Sequence, residues 1–163
     1  MNITGSSAIL LGHATFGVLG TLSALWVFVE ALNAREGNAG RIRNGGVFTA
    51  SFMVAAGILG GFWYTKFYPA DKAIILKGPW PFAHNLFMET KEHLFFLVLI
   101  LALYLAIAAR GKLYANSSAR NMVLCVSMLI VLSGLTMEGF GGTVDRGDEL
   151  ALKAGVKETQ NGR

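Results

Sequence analysis

The chain alternates between long apolar stretches and short polar connections. The apolar stretches are Ala8–Leu32, Val47–Tyr64, Leu86–Ala109 and Met122–Phe140. Each is close to the ~20 helical residues that cross a hydrocarbon core. The third is purely apolar only from Leu94. The Gly78-Pro79-Trp80-Pro81 turn precedes it, and Pro81 suits the first position of a helix, so that helix is expected to begin near Phe82. The pattern predicts an all-α integral membrane protein, an antiparallel four-transmembrane-helix bundle with both termini on the outer side. It divides into a transmembrane domain, residues 1–141, and a short polar outer tail, 142–163, in which Glu149–Ala154 form one or two helical turns.

Charge sets the orientation. The connection Asn33–Gly46 carries Arg35, Arg41 and Arg43 against Glu36, and Arg110–Asn121 carries Arg110, Lys112 and Arg120 with no acid. On the opposite side Lys66, Lys72, Lys77 and Lys91 are diluted by Asp71, Glu89 and Glu92. The positive-inside rule puts the arginine connections in the cytoplasm and the termini outside. In a bacterial inner membrane, the termini are then periplasmic. Trp63, Tyr64, Phe67, Tyr68, Trp80 and Phe82 are expected as belt aromatics at the outer headgroups, with Ala73–Leu76 along the interface.

Composition agrees: 53% of the 163 residues are hydrophobic and 15% charged. The net charge of +4 is spread over connections and tail, with no basic-aromatic patch for nucleic acid. No Lys or Arg precedes the first apolar run, which is too long for a signal core, so a cleavable signal peptide is not expected. Cys125 is alone, which excludes an intramolecular disulfide; it reads as a small buried apolar residue. Glu30 is expected to snorkel to the inner edge, toward Arg35.

The candidate chemistry lies on the outer side. With a rise of about 1.5 Å per residue, His13 stands roughly 28 Å above the cytoplasmic end of its helix, His93 roughly 24 Å and Glu138 about 25 Å. Ionisable groups at membrane depth are costly and are held there by partners or function. Asn85, Glu89, Glu92, His93 and Phe96 share one helical stripe, and His84 lies half a turn away from His93. That stripe makes His93 the preferred partner of His13, with His84 at the outer rim. Gly57, Gly61 and Gly134, in the same outer half, either allow close helix packing or leave room for a flat cofactor.

Three readings follow. In the first, His13 and His93 hold a haem b between diagonal helices, with Gly57, Gly61 and Gly134 making room for the porphyrin. The chain would then transfer electrons between quinol and a periplasmic carrier, as a subunit rather than a free-standing enzyme. In the second, His13, His93, Glu89, Glu138 and His84 supply ligands to an iron, copper or zinc ion. In the third there is no cofactor. The chain is then an accessory subunit of a larger membrane complex, and its outer polar cluster serves a partner, a proton path or a quinone headgroup. No phosphate-cradling glycine loop and no Cys-x-x-Cys-His motif is present.

Overall fold

The computed structural model describes Ile3–Asn161, with side chains over residues 5–155; the outermost residues of both predicted segments lie outside the described residues. All regular structure among them is helical: α1 (Ile3–Leu32), a 3-10 turn (Glu36–Asn38), α2 (Ala39–Lys66), α3 (Tyr68–Lys77), a π-helical segment (Ala83–Met88), α4 (Glu89–Ala108) and α5 (Ser117–Asn161). Four helices are long and apolar enough to cross a membrane, within Gly5–Leu32, Glu36–Lys66, Ala83–Ala108 and Ser117–Gly155. The third begins beside Phe82, as the Pro81 signal predicts. Backbone N–H groups of His84 and Asn85 donate to the Pro81 carbonyl at its entry.

α1 packs against α2 and α5, and α4 packs against the same two helices. Their shared core consists of small and branched side chains: Ala24, Val27 and Ala31 of α1, Ile42 and Met53 of α2, Val98, Ala102 and Leu105 of α4, and Val123 and Ile130 of α5. Small residues let the backbones approach. Large apolar side chains point the other way, among them Leu11, Ile58, Phe96, Ile107 and Leu135, each more than 60% exposed. A helix that is apolar on its outer as well as its inner face suits lipid rather than water. Cys125 lies on that outer face, not in the core as expected.

At the Arg-rich end the 3-10 turn folds the first turn of α2 back onto the end of α1. Glu30 therefore meets Arg41 at 2.6 and 3.1 Å, rather than Arg35. The buried Asn38 amide ties the turn together. It donates to the Glu30 carbonyl at 3.0 Å and to the Glu30 carboxylate at 2.9 Å, and accepts from the Arg35 N–H at 2.8 Å.

The opposite end departs from the expected loose tail. α5 runs unbroken through Gly141-Gly142 to Asn161, 45 residues in all. That is about 67 Å of helix, against a hydrocarbon core of about 30 Å. α3 and the π-helical segment pack on the extension. Gly78 abuts Ala151, and Gly147 sits where a Cβ would lie 2.6 Å from Ala83. Tyr68, Ile75, Ala83 and Val144 form a second core there, with Trp63, Tyr64, Trp80 and Phe87 packed round it. Most of the expected belt aromatics thus bind this outer layer to the helices, and Tyr68 is fully buried.

Candidate functional site

His13 is fixed by α2. Its Nδ1 lies 2.8 Å from the Ala56 carbonyl. A carbonyl can only accept, so Nδ1 carries the proton and Nε2 keeps its lone pair. The ring fits because Gly60 has no side chain: a Cβ there would stand 2.5 Å from His13 Nδ1. Beside the ring is a cavity of about 30 Å³, lined by His13, Thr21, Lys91, Phe95, Met137 and Glu138 among others. A cavity needs roughly 10–15 Å³ to hold one water. Three ionisable side chains from α1, α4 and α5 therefore border one water-sized space. The carboxylate of Glu138 reaches across to α1, with Oε1 3.4 Å from where a Cβ of Gly17 would be. Lys91 and Glu138 are both within electrostatic reach of the His13 ring.

Of the predicted site residues, His13 and Glu138 meet at this cavity and His93 does not border it. His93 is exposed, and its Nδ1 donates to the Glu89 carbonyl one turn N-terminal to it at 2.7 Å. His84 is the buried one, 2% exposed. The half-turn between the two histidines is as expected, but the inward member is reversed. His84, Lys91, Val98 and Leu105 are spaced by seven and share the face that packs inward, while the Glu89–His93–Phe96 stripe faces out. The small and branched Val98, Ala102 and Leu105 decide this, because they fit the narrow space between α2 and α5.

His84 belongs to the outer layer. Its Nδ1 is 2.9 Å from the Tyr68 hydroxyl. Its Nε2 is buried without a hydrogen-bond partner, 3.8 Å from Glu89 Oε1. Burial pushes the Tyr68 phenol well above its usual range, and the neighbouring Tyr64 and Glu92 add to that, so Tyr68 stays neutral. The segment carrying His84 is π-helical, a form that recurs at functional sites.

Two of the three glycines serve packing here. The Phe95 ring fills the space beside Gly57, 2.6 Å from where a Cβ would be, and Thr21 fills that beside Gly134. Gly61 is exposed with nothing within 4 Å. Among the described residues no group of three or more His, Cys, Asp or Glu is placed to hold a metal ion.

Lys91, Phe95 and Gly60 are site residues that sequence reasoning missed. Lys91 was within reach of the depth arithmetic, since it stands about 27 Å above Ala109, level with His13. In the sequence it stands among the charges of the connection before the third span. Compared with known proteins, the chain matches no family model, and no significant match is found among curated proteins or solved structures.

Proposed function

We propose that this chain is a four-span integral protein of a bacterial inner membrane, antiparallel, with both termini periplasmic, and that its outer half holds a protonatable site. In this reading it is an accessory subunit beside an electron-transfer or transport partner and exchanges protons at the His13–Lys91–Glu138 cavity. One observation carries it: an imidazole, an ammonium and a carboxylate from three helices, each long and apolar enough to cross a membrane, border a single water-sized cavity. Ionisable groups in such a position mark proton relays and ion pathways. The Ala56 carbonyl fixes the His13 ring so that Nε2 is the nitrogen that gains and loses the proton. Glu138 supplies a second exchange group, and Lys91 balances its charge.

Infrared difference spectra of the protein in lipid, taken between acidic and neutral pH, test this. A carboxylic C=O band that vanishes in Glu138→Gln and imidazole bands that vanish in His13→Phe are expected. A spectrum unchanged by both substitutions overturns the reading.

A haem b between His13 and His93 is the second reading. It is favoured by one feature: both rings donate Nδ1–H to a backbone carbonyl, which orients a ligand histidine and leaves Nε2 for iron. It also requires His93 to turn inward and Phe95 to leave Gly57. A reduced-minus-oxidised spectrum of a haem-replete preparation decides. A haem band lost in His13→Ala would replace the proton-site reading, and no band would remove the haem.

A further inference from the structure

Beside the cavity, α5 carries a line of two carboxylates with a bare position between them. Glu138, Gly141 and Asp145 stand at i, i+3 and i+7, on one helix face, about 10 Å from end to end. Glu138 borders the cavity from an exposed position on α5, and Asp145 is exposed two turns further on, at the outer layer. Between them Gly141 leaves the backbone bare, and the Lys91 ammonium occupies that place. A Cβ on Gly141 would lie 2.9 Å from Lys91 Nζ. Lys91 interacts electrostatically with both Glu138 and Asp145, and forms a close ion pair with neither. One cation is thus shared by an inner and an outer carboxylate, at the one bare point of the line joining them.

The other elements around Lys91 offer it no alternative anion. α1 contributes His13 to the lining, and α2 only Met53 and Ala56. On α4 itself, Glu92 acts electrostatically on Tyr64, Tyr68 and His84, while the anions that act on Lys91 are Glu138 and Asp145.

We propose that the Gly141 face of α5 is the entrance for protons from the outer aqueous side, with Lys91 as its movable gate. This rests on the protonatable-site reading. With Glu138 ionised, the ammonium is drawn inward to it. A proton delivered by water to the Glu138 carboxylate cancels that attraction, and the ammonium moves toward Asp145. Loss of the proton to His13 Nε2 restores the first arrangement. No bond other than O–H and N–H changes, and the charge of the cluster rises by one for each proton admitted.

The test is a pH jump applied outside sealed proteoliposomes of single orientation, with the Glu138 carboxyl band followed by rapid-scan infrared spectroscopy. The wild-type band should respond to the outer pH. Gly141→Ala puts a methyl where the ammonium lies, and the far end of a lysine can yield without unfolding the helix. It should slow the response by about tenfold or more, equivalent to ~1.4 kcal/mol of barrier, while the amplitude at equilibrium is kept. Asp145→Asn, at an exposed position, should slow it similarly. Wild-type rates in both variants, or an equally fast response to a jump in the lumen, overturn the entrance while leaving the protonatable site in place. Absence of any Glu138 band in the wild type overturns both.

Discussion

Gly60→Ala probes the seat of His13 directly. The added Cβ would stand 2.5 Å from His13 Nδ1 and 2.7 Å from Cε1, on a ring already held to the Ala56 carbonyl at 2.8 Å. The ring cannot keep that hydrogen bond and clear the methyl. Overpacking costs about 1–3 kcal/mol. The lost hydrogen bond adds about 1 kcal/mol. Replacing a helical glycine by alanine returns about 1 kcal/mol. The expected net loss is about 1–3 kcal/mol, most of it local to α1 and α2. Gly61→Ala is the internal control, because nothing lies within 4 Å of its added Cβ and only the propensity gain remains. Unfolding of both variants in mixed micelles, followed by circular dichroism, gives the comparison. If Gly60→Ala is as stable as Gly61→Ala, His13 is not seated as described.

Tyr68→Phe removes the partner of a buried imidazole and leaves His84 Nδ1 unsatisfied, so it should cost about 1–3 kcal/mol in the same assay. Asn38→Ala removes the amide that joins the ends of α1 and α2 and should cost about 2 kcal/mol, with faster proteolysis of the connection around Arg35. Burial, followed by the neighbouring Asp148 and Asp145, raises Asp71 above its ordinary carboxyl value. Folding therefore favours its protonated form. The outer layer is most stable below the unfolded value and loses stability as pH rises through the folded one. Asp71→Asn should remove that slope from hydrogen exchange at α3.

The four helices long and apolar enough to cross a membrane are legible because apolar length is a local property. So is the start of the third, from Pro81. The outer layer is not. Gly141-Gly142 reads as a helix end, since each glycine weakens a helix by up to about 1 kcal/mol. Contacts of α5 with α3 and the π-helical segment, at Gly78–Ala151 and Gly147–Ala83, offset that, and no local pattern reports them. His13 and Glu138 were legible from depth alone. The facing of the third span is the reverse of what its polarity implies. Charged Glu89 and polar His93 sit near the outer end, where they can face outward, and the inner face is marked instead by the seven-residue spacing of His84, Lys91, Val98 and Leu105. Glu30 pairs with Arg41 rather than the expected Arg35, because a 3-10 turn brings Arg41 back to it.

The central claim is that His13, Lys91 and Glu138 form one electrostatic unit. Nitrogen-15 NMR of the His13 ring, titrated in lipid for the wild type, Glu138→Gln and Lys91→Met, measures this most directly. An anion and a cation act oppositely on the same imidazole, so the midpoint of the His13 signal should move in opposite directions in the two variants. A midpoint that stays fixed in both, or moves the same way, contradicts a shared site.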